Sequence, residues 1–176
     1  MSGRGGQRAG PAFTVSCPPG DNLMLHAAVH RAAPGSVIVV ESGDLRYALA
    51  GGNVFAVAQR HGIAGFVADG VIRDLAEVRD LGLPFFARGI VPIPGVKEVA
   101  TPFGLPVRCG DVRIEAGDVV VADAEGVVAA PATRAPAVLT AARAEPAEEA
   151  AETLDDWERA HRTRIEEILK ARGFEG

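Results

Sequence analysis

The amino-acid sequence predicts a single α/β domain. The chain has 176 residues, a length that suits one hydrophobic core. Hydrophobic residues make up 48% of the chain and aromatic residues only 5%, so the core must consist mainly of Val, Ala, Leu and Ile. Short apolar segments typical of strands alternate with segments of helical periodicity. Together these three observations favour strands packed against helices.

The first half of the chain alternates strand and helix signals. Residues 1–10 are rich in glycine and are predicted to form a flexible N-terminal arm. The Pro34-Gly35 turn separates the first helix from the second strand, and Gly62 and Gly82 end the two later helices. In order, the predicted segments are a strand over 12–15, a helix over 23–33, a strand over 36–41, a helix over 51–61, a strand over 64–68, a helix over 74–81 and a strand beginning at 84–87.

The second half of the chain changes to short β segments. Turns rich in glycine and aspartate separate predicted strands over 107–109, 112–114, 119–122 and 127–129. Proline and alanine fill the end of the main domain, which is predicted to span 11–151. The remaining residues, 152–176, are predicted to contain an amphipathic helix ending near Ala171. Its apolar stripe consists of Leu154, Trp157, His161, Ile165 and Ile168.

Charge and cysteine content exclude several classes of protein. The net charge is −5, and the segment 144–176 carries all of it, with ten acidic and five basic residues. No basic face is available to neutralise phosphates, so nucleic-acid binding is not expected. Cys17 and Cys109 match no zinc or redox spacing, which predicts two buried thiols in a reducing compartment. No apolar run predicts a membrane span or signal peptide, and we expect a cytoplasmic protein.

A polar cluster follows the strand predicted at 64–68. It comprises Asp69, Arg73, Asp74 and Glu77, and the segment from Asp69 to Asp74 is predicted to be a loop at a strand end, where α/β folds bind ligands. Asp74 could bind Mg²⁺ or Mn²⁺, which accept one or two carboxylates plus waters and substrate oxygens. Arg73 could hold a substrate carboxylate by two parallel hydrogen bonds. The alternative is a surface ion pair at a solvated helix start.

The glycines before the second helix predict a second binding element. Gly51, Gly52, Asn53 and Val54 lie at a helix start, where backbone N–H groups can approach an anion. The alternative is a turn and helix cap that bind no ligand. The four histidines form no ligand set, and we assign them no role.

The spacing of these elements resembles a known signature. Twenty residues separate Gly52 from Arg73-Asp74, and Glu77 follows three residues after Asp74. This pattern is similar to the signature of RraA-like proteins, in which a glycine or an acidic residue precedes Arg-Asp by twenty residues and Glu or Asp follows. Further segments in family order are Gly10–Val15, Pro19–Leu23, Gly62–Gly70, Phe86–Gly89 and Gly117–Val128.

The resemblance implies an RraA-like α/β sandwich with a mixed central sheet and a C-terminal helix. It also implies a divalent-metal-dependent lyase that cleaves 4-hydroxy-2-oxo acids to pyruvate and decarboxylates oxaloacetate. In such a protein Asp74 binds the metal, Arg73 binds the substrate, and the backbone of Gly51, Gly52, Asn53 and Val54 cradles its carboxylate. The family's active sites lie between the subunits of a homotrimer or hexamer.

Two alternatives to this lyase stay open at the level of sequence. The chain could be a non-catalytic interaction protein of the same fold, since the family includes proteins that inhibit ribonuclease E. It could also have been recruited to another enolate reaction in a biosynthetic pathway. Many aldolase members have an acidic residue where this chain has Gly52, so the general base is left unassigned.

Overall fold

The computed structural model describes residues 8–149 and 153–174, with the backbone alone for 144–149. The described part contains eight strands and five helices. In chain order they are β1 Arg8–Cys17, α1 Leu23–Ala28, β2 Val37–Ser42, α2 Gly52–Arg60, β3 Gly65–Ile72, α3 Leu75–Leu81, β4 Phe85–Ile90, β5 Val107–Cys109, β6 Val112–Ile114, β7 Val119–Ala122, β8 Val127–Ala130, α4 Ala135–Glu149 and α5 Leu154–Ala171.

Six of the strands form one mixed sheet in the order β4-β3-β2-β1-β7-β8. The four strands β1 to β4 are parallel, and α1, α2 and α3 connect them. β7 pairs antiparallel with β1, and β8 pairs antiparallel with β7. β5 and β6 form a separate hairpin. The predicted α/β class and the mixed central sheet are thus confirmed.

The sheet is buried on both faces, as strand β2 illustrates. The three valines and one isoleucine of β2, from Val37 to Val40, are at most 3% exposed, and they alternate between two apolar clusters. Ile38 and Val40 pack in the helix-side cluster around Phe55, while Val37 and Val39 face Val107 and Ile114 of the β5–β6 hairpin. Continuous burial of this kind is expected of a parallel strand covered on both sides.

Two strand boundaries differ from the sequence prediction. β1 begins at Arg8, so residues 8–10 of the predicted arm belong to the sheet, where Arg8–Pro11 pair with β7; residues 1–7 lie outside the described part. β3 continues to Ile72, so the loop predicted from Asp69 was wrong over its first four residues. Asp69 and Gly70 resemble turn residues in sequence, but Asp69 pairs with Glu41 of the neighbouring strand.

Residues up to Ala135 form one compact unit and Pro136–Gly176 form a second. α4 begins at Ala135 and covers residues for which the sequence predicted no helix, because they are rich in proline and alanine. α5 matches the predicted C-terminal helix, and the Thr153 hydroxyl caps it by accepting a hydrogen bond from Asp156 N–H at 3.2 Å. Its apolar stripe is exposed, and Trp157 stacks on His161. Neither α5 nor any other helix of the described residues has the length and hydropathy needed to span a bilayer.

Candidate functional site

The candidate site forms where β3 ends. The segment 48–50 runs alongside this end of the strand, with Leu49 N–H donating to Val71 O at 2.9 Å and Arg73 N–H donating to Ala50 O at 2.9 Å. Ala48 also bridges to Pro94. These backbone bonds hold the start of α2, the start of α3 and the segment around Pro94 next to one another, at the carboxyl end of a parallel strand.

Asp74 occupies a left-handed backbone conformation, with φ 59° and ψ 42°. Only a few per cent of non-glycine residues have positive φ, and aspartate and asparagine are enriched among them. Here the conformation turns the chain from β3 into α3. The Asp74 carboxylate accepts a hydrogen bond from Gly52 N–H at 3.2 Å, and Arg73 Nε lies 3.6 Å from the same oxygen. The structure therefore brings together the predicted Arg-Asp pair and the predicted start of α2.

The two glycines at the start of α2 make room for two carboxylates. A Cβ atom on Gly51 would overlap the Asp74 carboxylate, and a Cβ atom on Gly52 would overlap the Glu77 carboxylate. Both overlaps are far inside van der Waals contact. Glycine at these positions thus allows two acidic groups to lie against a helix N-terminus, where backbone N–H groups and the helix dipole favour negative charge.

The backbone N–H groups at the start of α2 are not all available to a ligand. Gly52 N–H is bonded to Asp74, and Val54 N–H donates to Gly51 O at 3.0 Å. Within the described residues, the N–H groups of Gly51 and Asn53 make no hydrogen bond. These two are the donors that remain for an anion.

A cavity of about 80 Å³ opens between these elements. Five of the six predicted site residues line it: Gly51, Asn53, Val54, Arg73 and Asp74. Gly52 does not line it, because Glu77 lies over that position and itself forms part of the wall. The remaining wall includes three polar residues that sequence reasoning missed: Asn22, His26 and Lys97.

His26 lines the cavity, although the sequence analysis assigned the histidines no role. His26 lies one helical turn after Asn22, a spacing visible in the sequence, but only the packing of α1 against segment 48–50 brings both to the cavity. Burial lowers the pKa of His26 to about 4, and the positive charges of Lys97 and Arg73 contribute to the shift. The imidazole is therefore neutral at pH 7.

The donor set fits an open divalent-cation site and not a closed cage. Among the described residues, no three His, Cys, Asp or Glu side chains come close enough together to hold an ion. Asp74 and Glu77 nevertheless line one cavity and offer hard oxygen donors. Mg²⁺ and Mn²⁺ are commonly held by one or two carboxylates, with water and substrate oxygens completing the shell.

Asp69, the fourth member of the predicted cluster, lies elsewhere. It forms an ion pair with Arg88 and accepts a hydrogen bond from Gly110 N–H at 3.2 Å, at the edge of a cavity of about 630 Å³ beneath the β5–β6 hairpin. The hydrogen bond from Arg88 lowers the pKa of the Asp69 carboxyl. Asp69 thus links the β5–β6 hairpin to the sheet through its hydrogen bond from Gly110 N–H. It does not line the cavity that contains Asp74.

Comparisons with known proteins add a family context to this site. The sequence model of the RraA-like family, described as Aldolase/RraA, matches residues 2–129. A protein of Halalkalibacterium halodurans, named for 4-hydroxy-4-methyl-2-oxoglutarate aldolase, is 40% identical over 146 residues, which cover 82% of this chain and 70% of that protein.

Solved structures share the fold. A Geobacillus kaustophilus protein named as an S-adenosylmethionine:2-dimethylmenaquinone methyltransferase superposes with a TM-score of 0.71 and 35% identity, over 74% of this chain and 82% of that chain. Streptomyces coelicolor RraAS2, described as an unusual member of the RNase ES inhibitor RraA protein family, superposes with a TM-score of 0.71 and 31% identity, over 91% of this chain and 79% of that chain. Since these names cover different activities, the residues of the site must decide between them.

Proposed function

Because this chain belongs to the RraA-like family, we propose that it is a divalent-metal-dependent lyase. Its proposed reaction is the cleavage of a 4-hydroxy-2-oxo acid to pyruvate, with decarboxylation of oxaloacetate through the same enolate. The single observation that carries the proposal is the pair of carboxylates, Asp74 and Glu77, held beside Arg73 at one cavity. A surface ion pair alone would not need two glycines to accommodate it.

Asp74 is the proposed metal ligand. Its left-handed backbone and its hydrogen bond from Gly52 N–H fix the carboxylate at the cavity wall, which leaves its second oxygen for a cation. A bound Mg²⁺ or Mn²⁺ would supply a Lewis acid that stabilises negative charge developing on the 2-oxo oxygen of the substrate. Glu77 is close enough to the same space to orient a water or to move a proton.

Arg73 is the proposed substrate-binding residue. Its side chain is 44% exposed and lines the cavity, and its Nε faces Asp74, so we expect the terminal guanidinium nitrogens to bind the substrate carboxylate. The unbonded N–H groups of Gly51 and Asn53 offer a second anchor for that carboxylate. Lys97, on the opposite segment, offers a positive charge for the second carboxylate of a dicarboxylic acid.

Glu77 is the proposed proton acceptor. In retro-aldol cleavage the 4-hydroxyl proton passes to the base, a C=O bond forms at C4, and the C3–C4 bond breaks with its electron pair left on the pyruvate enolate. A proton then adds to C3 to give pyruvate. The Glu77 carboxylate lies over Gly52, where many aldolase members carry their own acidic residue. Glu77 is therefore our candidate for the general base that the sequence left unassigned.

A homotrimer or hexamer is the proposed assembly. Large apolar side chains are exposed on the segments that flank the cavity, a pattern typical of a surface that another subunit covers. They are Leu45, Tyr47, Ile90, Ile93, Val96 and Val99. Light scattering should give three or six times the mass of one chain, and a fully active monomer would contradict this assembly.

The decisive experiment measures pyruvate release from 4-hydroxy-2-oxo acids and from oxaloacetate with Mg²⁺, with Mn²⁺ and after chelation. Asp74→Asn should abolish release without unfolding the protein, because asparagine tolerates the left-handed backbone that alanine would strain. Asp80→Asn, an exposed carboxylate of α3 outside the cavity, is the matched control. Full turnover in chelator, or by Asp74→Asn, would exclude the metal role. No turnover of any substrate by the natural protein would favour the non-catalytic interaction protein or a different enolate reaction.

A further inference from the structure

Asp21 is a buried carboxylate that accepts hydrogen bonds from three backbone N–H groups. The residue is 4% exposed. Its Oδ1 accepts from Leu23 N–H at 2.8 Å, and its Oδ2 accepts from Glu98 N–H at 2.6 Å and from Val99 N–H at 3.0 Å. Burial alone would raise the pKa of this carboxyl, but these donors and the charge of Lys97 lower it, so Asp21 is an anion at pH 7. Asp21 thus ties the start of α1 to a segment that is distant in sequence.

The segment bound by Asp21 has few other contacts to hold it. Residues 97–100 belong to no helix or strand, and Lys97 is the first of them. Just before this segment, Val96 N–H donates to Gly20 O at 2.8 Å. Among the described residues, the two bonds to Asp21 are the only hydrogen bonds that 97–100 make. Removing the Asp21 carboxylate should therefore allow this segment to move.

Lys97 is the residue of this segment that lines the candidate site, together with Arg73. Besides burial, its positive charge lowers the pKa of His26 in the same wall, and it also acts on Asp21, so the charge lies near both residues. Among the described residues, no carboxylate lies within ion-pair distance of the Lys97 ammonium. Because a lysine stem is long and flexible, the position of its backbone determines which ligand groups the ammonium can reach at little entropic cost.

We propose that Asp21 is a positioning residue that holds Lys97 at the cavity and thereby favours substrates with a second carboxylate. This inference rests on the proposed lyase function, in which Arg73 binds the carboxylate of the 2-oxo acid and Lys97 binds the distal one. Asp21 is covered by protein and does not line the cavity, so it contacts no substrate itself. Its effect should appear in the binding of the distal carboxylate and not in the chemical step.

The test compares a substrate that has two carboxylates, 4-hydroxy-4-methyl-2-oxoglutarate, with one that has a single carboxylate, 4-hydroxy-2-oxopentanoate. Asp21→Asn keeps the size of the side chain, but it replaces one accepting oxygen with a donor and so cannot accept all three hydrogen bonds. We expect KM for the dicarboxylic substrate to rise about 10-fold, with kcat changed less than about 3-fold. KM for the monocarboxylic substrate should change less than about 3-fold. Equal KM increases for both substrates would show a merely structural role and would overturn the inference.

A double variant decides whether Asp21 acts through Lys97. Lys97→Met alone should raise KM for the dicarboxylic substrate at least as much as Asp21→Asn does. The double variant should be no worse than Lys97→Met, because both changes remove the same contact, and additive losses would overturn the inference. Glu98→Gln is the control, since it removes an exposed carboxylate beside Lys97 and keeps the backbone bond to Asp21. Its KM values should change less than about 3-fold.

A second variant and a binding measurement complete the test. Should Asp21→Asn fail to fold, Asp21→Ser replaces it, because a serine hydroxyl can still accept from Leu23 N–H but is one atom shorter on the side of Glu98. Titration calorimetry should show 2-oxoglutarate bound about 10-fold more weakly by the variant and pyruvate bound less than about 3-fold more weakly. An unchanged ratio of the two affinities would overturn the inference. Chelator-sensitive pyruvate release by the natural protein reports the lyase separately, so failure of this inference is distinguishable from failure of the proposed function.

Discussion

Replacing Gly52 by alanine should move Glu77 without unfolding the protein. The added Cβ atom would overlap the Glu77 carboxylate, but it would lie 3.2 Å from the Glu77 Cβ atom. The carboxylate of Glu77 therefore has to move away, while the Glu77 backbone and Cβ atom stay nearly in place. Alanine also loses less backbone freedom than glycine on folding, which offsets part of the crowding. We therefore expect the Tm to change by no more than about 4 °C.

The catalytic effect of the same substitution should be much larger. A positioned general acid or base contributes about 10²- to 10⁴-fold to a rate, and the displaced Glu77 would lose this contribution. We expect kcat for aldol cleavage to fall at least about 100-fold. Gly89→Ala is the control, because its added Cβ atom would meet only Val71 Cγ1 at an ordinary 3.6 Å.

A double-mutant cycle decides whether Gly52 acts through Glu77. Glu77→Gln alone should match the loss in Gly52→Ala, and the double variant should be no worse than either single variant, because both changes remove the same group. Full activity in Gly52→Ala, or additive losses in the double variant, would refute the argument that Gly52 acts by leaving room for the Glu77 carboxylate.

Three further predictions concern an arginine, a histidine and the two cysteines. Arg73→Lys should raise KM or lower kcat at least about 10-fold, because an ammonium group cannot form two parallel hydrogen bonds to a carboxylate; unchanged kinetics would remove Arg73 from the site. The pKa of His26 is lowered to about 4 in the folded protein, so between about pH 6.5 and 4 the unfolded chain binds one more proton than the folded one. The free energy of unfolding should therefore fall as the pH falls through that range. His26→Gln should remove this effect and flatten a plot of Tm against pH. Burial raises the pKa of Cys17 and Cys109 to about 11, so both thiols should react slowly with a thiol reagent at pH 7.5 until the protein is denatured; rapid labelling of the native protein would contradict this.

The sequence predicted the sheet and its helices because their signals are local. Runs such as Val37–Val40 are apolar throughout, and glycine in a left-handed conformation ends α2 and α3 at Gly62 and Gly82. The strand character of Asp69 and Gly70 was missed, since it depends on pairing with Glu41 of β2. α4 was missed because prolines normally interrupt helices; Pro136 lies in the first turn, where proline is tolerated, and Pro146 lies in the last turn.

The candidate site was predictable only in part. Arg73, Asp74 and the glycines are set by spacing along the chain, and the structure brings them to one cavity. Asn22 and Lys97 come from segments whose approach depends on backbone bonds such as Asn22 N–H to Val96 O, and no local pattern encodes these bonds. The position of the Glu77 carboxylate also depends on packing, because it reaches the start of a different helix.

The contact between Glu77 and Gly52 restricts how position 52 of this chain can change over evolutionary time. A side chain at position 52 would overlap the Glu77 carboxylate unless that carboxylate moved away. The Arg-Asp signature allows an acidic residue at this position together with Glu or Asp at the position of Glu77, so relatives of that kind must hold the second carboxylate elsewhere. Position 52 should therefore change only together with the residues that position Glu77.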